Sequence, residues 1–320
     1  MTSVYEHSQS TKEALILSSF LDKSMDDVLS EGNTENIYMR FHSNLNVLFR
    51  SYSSKGLKAQ FYEECIAHPI FEVFAKEPIT SRSCNRPRGY AGDAELIDFI
   101  YRLKSPDPKT SFIGRELYSN ILESSVCKSV RWRAKHLAEK IEESYQNKKT
   151  PLNVFAIACG HLRELHFVDD LASKISNFYA LDQDPLSIEE ARRSLSEIKI
   201  DFIADSILSL IKRSVKINQP LDFIYSAGLF DYLNHKLARK LLTATFDLLA
   251  PGGSMLIANF APGLTEQAYM EAFMDWHLIY RNESEMEALL KEIPHTEIDS
   301  IKMYRDPMGN VVYMELSRKK

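Results

Sequence analysis

Three residues pose the chemical question: Gly160, Asp182 and Asp205. Gly160 follows the apolar run "NVFAIA", Asp182 ends "NFYALD", and Asp205 follows "KIDFIA". A glycine after a buried run lets a ligand approach the backbone closely. A carboxylate at the end of the next run, about 20 residues on, can accept both hydroxyls of a ribose. Asp184 and Pro185 predict an N-cap and first-turn proline of a helix burying Ile188, Ala191, Leu195 and Ile198, with Glu189 and Arg193 paired. Asp184 therefore has a structural task, and Asp182 is left for a ligand. Asp205 could receive an amino group, with the next backbone N–H serving a ring nitrogen, or it could cap "SILSLIKRSV"; the two are compatible. After "LDFIYS", Ser226, Ala227 and Gly228 again permit close approach, and Ala158 and Cys159 precede Gly160.

These residues need a sheet to align them. Short apolar runs alternating with helical patterns from about residue 149 predict βαβ units, in a mostly parallel sheet with helices on both faces. In such sheets ligands bind beyond the C-terminal strand ends, where the strand order reverses. "EIDSIKMYR" and "VVYMEL" around "DPMGN" predict a hairpin that adds an antiparallel edge. "LAPGG" before "SMLIANF" is expected to be a tight structural turn. The first part of the chain has helical grammar. Leu15, Leu17, Phe20, Leu21, Met25, Val28 and Leu29 fall near helical spacing with Gly32 as a stop, and Val126, Val130, Ala134, Leu137 and Ile141 form a later stripe. The expected division is an α-helical domain over 1–148 and an α/β Rossmann-like domain over 149–320, with the polar "QNKKTP" between them.

The chain has 320 residues, 44% of them hydrophobic, and a net charge of -5. That length can bury a large core, and the charge argues against a nucleic-acid partner. Cys65, Cys84, Cys127 and Cys159 are scattered without metal spacing, so neither a disulfide framework nor a metal site is expected. No run approaches the about 20 apolar residues of a membrane span. "ALILSSFL" is followed by "DKSMDD" and lacks a cleavage site, which points to a helix face in a cytoplasmic protein.

The succession "VFAIACG", "ALDQD", "ADS" and "LLAPGGSMLIANF" resembles the class I S-adenosylmethionine (SAM) dependent methyltransferases, over about Pro151 to Leu316. The resemblance implies a glycine loop (Ala158, Cys159, Gly160) passing the methionine part of SAM. It implies Asp182 and Gln183 at the ribose, Asp205 and Ser206 at the adenine, and Ser226 and Ala227 along the cofactor. The loop departs from the family pattern: His161 and Leu162 stand where small residues are common, and the acid that often precedes the loop is absent.

"RPRGYAGDAELIDFIY" with "DWHLIYR" resembles a bacterial subfamily with an N-terminal helical domain, some of whose members are associated with fatty-acid methyl ester biosynthesis. The SAM-cyclising azetidine-2-carboxylate synthases are similar in architecture. In "RPRGYAGDAE", two glycines shape a loop carrying Arg88, Tyr90 and Asp93. The resemblance implies a lid in which Asp93 meets the SAM amino group, Arg88 its carboxylate, and Tyr90 borders the sulfonium or substrate. The alternative is a turn whose Arg and Asp pair with each other.

Tyr90 and Asp93 are the expected catalytic residues, and Asp93, Tyr232, His161 and His277 the candidate bases. Three activities follow. The leading one is methyl transfer to a small-molecule acceptor. The second is cyclisation of SAM to azetidine-2-carboxylate and methylthioadenosine, in a pocket that bulky Trp132 could reshape. The third is a non-catalytic SAM-binding module. A homodimer stays open.

Overall fold

The structure is a computed structural model. It describes residues 2–30 and 34–320, with side chains from residues 11–30 and from 37 onward. The expected stop at Gly32 lies outside the described residues.

The chain divides into two compact units. One comprises Met1–Lys128 and Gly263–His277, the other Ser129–Pro262 and Leu278–Lys320. This differs from a single cut at 148/149 in two ways. The helix before that cut belongs to the second unit from Ser129 onward, and a later segment joins the first.

The first unit is helical: α1 (Thr2–Leu29), α2 (Thr34–Ser54), α3 (Lys58–Ala67), α4 (Ile70–Phe74), α5 (Pro78–Asn85), α6 (Ala94–Ile100) and α7 (Phe112–Leu122). Leu17, Leu21 and Val28 of α1 are buried as the periodicity requires, but Leu15 and Leu29 are exposed. The later segment contributes α13 (Gln267–Phe273). Its Tyr269 and Phe273 rings pack against Phe41 and Phe74. Every residue of α13 from Ala268 to Phe273 is buried, so this helix has no solvent face, unlike an ordinary amphipathic helix.

α8 (Ser125–Lys148) crosses the unit boundary in its first turn, and its stripe Val126, Val130, Ala134, Leu137 and Ile141 is buried. The second unit then builds the sheet from β1 (Leu152–Ile157), β2 (Ile175–Asp182), β3 (Asp201–Ala204), β4 (Leu221–Ala227), β5 (Leu249–Phe260), β6 (Ile298–Arg305) and β7 (Val311–Arg318). The strand order is β3-β2-β1-β4-β5-β7-β6. The first five strands are parallel, and β7 pairs antiparallel with both β5 and β6. The C-terminal hairpin thus forms as expected, with its second strand inside and its first at the edge.

The connecting helices are α9 (Leu171–Lys174), α10 (Pro185–Ser194), α11 (Ile207–Ile211), α12 (His235–Phe246) and α14 (Glu283–Glu287). In the core of this unit, Phe155, Ile157, Ile224, Met255, Ile257 and Val312 of the strands pack with Leu241, Leu242 and Phe246 of α12. "LAPGG" does not form a separate turn. It lies within β5 as an irregularity, where the register with β4 jumps from Leu221↔Leu249 to Phe223↔Ser254.

The strand order reverses between β1 and β4, which are themselves parallel. β2 and β3 extend the sheet to one side of β1, and β4 and β5 extend it to the other. In open α/β sheets such a reversal is where ligands bind, beyond the C-terminal ends of the flanking strands, here β1 and β4.

Candidate functional site

The loop after β1 is tightly turned. Ala158, Gly160 and Leu162 all adopt left-handed backbone, with φ of 53°, 53° and 52°. For the two non-glycine residues this costs about 1–2 kcal/mol each, so other contacts must hold them. Cys159 N–H donates to the Leu181 carbonyl at 3.0 Å. Gly160 N–H donates to Asp182 Oδ2 at 2.8 Å, and Asp184 N–H donates to Asp182 Oδ1 at 2.9 Å. Asp182 therefore ties the end of β2 to the loop after β1. It is 7% exposed. Burial raises its pKa, and the two N–H groups work against that rise. Each oxygen, with one bond made, keeps acceptor capacity for a ligand hydroxyl.

No α-helix starts after this loop. A single 3-10 turn, Arg163–Phe167, follows instead. The backbone donors at this point of the edge are therefore the loop amides rather than a helix N-terminus. Asp184 caps α10 as predicted, accepting from Leu186 N–H at 3.0 Å and the Ser187 hydroxyl at 2.7 Å. The pair predicted for that helix is shifted by one residue: Arg193 meets Glu190, which also holds Arg163. The helix ends at Ser194, before Ile198.

At the end of β3, Asp205 is exposed and accepts from Ser206 N–H at 2.7 Å. Its own N–H reaches the Asp182 carbonyl at 3.1 Å. The cap of α11 is Ser206, not Asp205, because the Ser206 hydroxyl accepts from Leu208 N–H. Gln183 stands between Asp182 and Asp184.

At the end of β4, the buried Ser226 hydroxyl donates to the Ile157 carbonyl at 2.9 Å, bracing β4 against β1. Ala227 is half-buried, and Gly228 has φ of 107°. A Cβ on Gly228 would lie 3.0 Å from Arg133 Nη1, so the glycine makes room for that guanidinium.

Arg133 brings in groups that lie outside the sequence motifs. Its charge acts on Glu164 and on Asp231. Glu164 is buried in the turn after the loop and accepts from the Tyr225 hydroxyl at 2.6 Å. Burial raises its pKa, and the Tyr225 bond and Arg133 oppose that. Asp231 accepts from Phe260 N–H, and burial pushes its pKa up to about 6. Glu164 is visible in "CGHLRELHF", four residues after the glycine, but nothing local marks it as buried. Arg133 sits beside the apolar stripe of α8, where a solvated face is the simpler expectation.

The other predicted residues lie mostly in the helical unit. Asp93 is fully buried and caps α6, accepting from Leu96 N–H at 2.8 Å. It also accepts from Arg82 Nε at 2.8 and 3.1 Å. Arg88 meets Glu95 at 3.3 Å. The loop's Arg and Asp thus each have a partner of opposite charge, though not each other. Tyr90 is half-buried. His277 is exposed beside Asp275. In the sheet unit, His161 is buried and Tyr232 is exposed. Burial drives the Cys159 thiol well above its ordinary range, which disfavours the thiolate that a nucleophile needs. Trp132 stacks on His136 with ring centroids 4.2 Å apart and meets Tyr313 edge-on.

Among the described residues, no cluster of three or more His, Cys, Asp or Glu could hold a metal ion. No helix among them is long and apolar enough to cross a membrane.

No family model matches the sequence, and no curated protein matches it. Solved structures are similar to this chain. A possible exported protein from Bordetella parapertussis is 15% identical with a TM-score of 0.62, over 97% of each chain. Magnesium protoporphyrin IX methyltransferase (ChlM) from Synechocystis PCC 6803, with bound S-adenosylhomocysteine, is 13% identical with a TM-score of 0.49. That match covers 74% of this chain and 100% of the other. The N-methyltransferase NodS from Bradyrhizobium japonicum WM9 is 15% identical with a TM-score of 0.43, over 58% and 87%.

Proposed function

We propose that this chain binds SAM at the C-terminal edge of β1, β2 and β4 and transfers its methyl group to a small-molecule acceptor. The observation that carries the reading is the lock made by Asp182. One carboxylate fixes the left-handed loop at Gly160 and keeps acceptor capacity for a vicinal diol such as the ribose of SAM. Asp205 stands one strand further along the same edge, fitting an adenine amino group. Arg133, over Gly228, offers a guanidinium to a carboxylate, and Glu164 offers an acid to an ammonium. Together they match the two ends of an amino acid, in a chain whose glycine loop lacks its usual acid.

In the reaction, an acceptor lone pair attacks the methyl carbon in line with the C–S bond. That bond breaks, its electron pair stays on sulfur, and S-adenosylhomocysteine leaves. The protein's task is alignment and exclusion of water.

Incubating the purified protein with SAM, with and without a small-molecule extract, and analysing the products by mass spectrometry tests the reading. S-adenosylhomocysteine that appears only with the extract is the expected result. Methylthioadenosine with a cyclic amino acid from SAM alone would replace transfer by cyclisation. Saturable SAM binding without turnover in either mixture would leave a binding module.

A further inference from the structure

The helical unit contains a cavity of its own. Its wall is formed mainly by Ile79, Ile121, Met270, Met274 and Trp276, with the His42 imidazole as a polar group among them. His42 belongs to α2 and is buried, and neither ring nitrogen has a hydrogen-bond partner among the described residues. Its ring packs between Tyr38 and Tyr269, with centroids 4.2 and 4.5 Å away, so its orientation is fixed. A buried polar group without a partner is uncommon and costly. An imidazole held by aromatic rings at an apolar cavity is therefore a group that something else must satisfy.

We propose that this cavity is a binding site for a small, uncharged, mainly apolar molecule bearing one hydroxyl, which His42 engages. The apolar wall disfavours an ion. The one carboxylate in the lining, Glu266, is already occupied by the N–H and hydroxyl of Ser125. Burial keeps the imidazole neutral, so one nitrogen donates and the other accepts. A hydroxyl can meet either one. As the walls stand, the space suits groups little larger than water. A ligand ring must displace Met270 and Met274, whose unbranched side chains readily change rotamer.

Nothing in this inference depends on SAM, and its test uses none. Phenol and benzene serve as probes on the full chain, with long-range 15N–1H NMR of the His42 imidazole and calorimetry as readouts. The expected result is a saturable shift of the His42 nitrogens with phenol. Phenol should bind about five- to tenfold tighter than benzene, the worth of one neutral hydrogen bond. His42→Phe should abolish the preference while retaining the helical circular-dichroism signal. If that variant does not fold, the phenol-to-benzene ratio and the imidazole shift of the unaltered chain still decide. A long-lived water at His42 with no response to phenol, or equal binding of the two probes, overturns the proposal.

Discussion

Asp182→Ala is the most informative perturbation of the sheet edge. The side chain is buried and receives two backbone N–H groups, from Gly160 at 2.8 Å and Asp184 at 2.9 Å. Alanine leaves both donors without their acceptor, at about 1–3 kcal/mol each. The left-handed conformations at Ala158 and Leu162 then lose part of what holds them. A stability loss of about 2–6 kcal/mol follows, a large share of the about 5–15 kcal/mol typical of a folded domain. Two ribose hydroxyls donating to a carboxylate would contribute about 1.5–3 kcal/mol each, so SAM affinity should fall roughly 10²- to 10⁴-fold. Thermal melts and calorimetric titration with SAM read the two effects separately. Asp182→Asn is the companion: it keeps an acceptor for one N–H but loses the charge, so it should be more stable than the alanine variant and still bind weakly. A cooperatively folded Asp182→Ala protein whose affinity stays within about threefold, under 1 kcal/mol, would refute the placement of the ligand.

Two further outcomes follow from buried acids in the helical unit. Burial pushes Glu77, the N-cap of α5, up to about 7 from 4.5. A folded-state pKa above the unfolded one gives stability that is complete below the unfolded pKa and lost as pH rises through the folded one. The loss approaches about 3 kcal/mol between roughly pH 4.5 and 8. Urea melts across that range should show this step, and Glu77→Gln should flatten it; parallel profiles for the two proteins would show that Glu77 is not its source. Asp93→Asn retains a side-chain cap for α6 but removes the charge facing Arg82. It should cost about 1–3 kcal/mol in a thermal or urea melt. A fall in SAM affinity beyond that stability change, measured by titration, is what a ligand role for Asp93 requires, and unchanged affinity removes that role.

The alternation of strands and helices, the C-terminal hairpin, the cap at Asp184 and the position of Asp182 at a strand end are all legible in the chain before it folds. These are short-range matters, since periodicity, a cap and a first-turn proline act within one or two turns of chain. Local signals are weaker where near neighbours compete for one task. Ser206, rather than Asp205, is the cap of α11, and Glu190, rather than Glu189, meets Arg193. Which distant residues meet is left to the packing of the whole chain. Arg133 comes up against Gly228 from 95 positions away, Arg82 takes Asp93, and α13 joins helices that precede it by some two hundred residues. The same is true of the His42 imidazole, without a hydrogen-bond partner among the described residues, which in sequence is one histidine on an apolar helix face. Burial and partnership are properties of the complete packing. A residue's type sets the bonds it can make, and the topology of the sheet and helices sets which of them it does make.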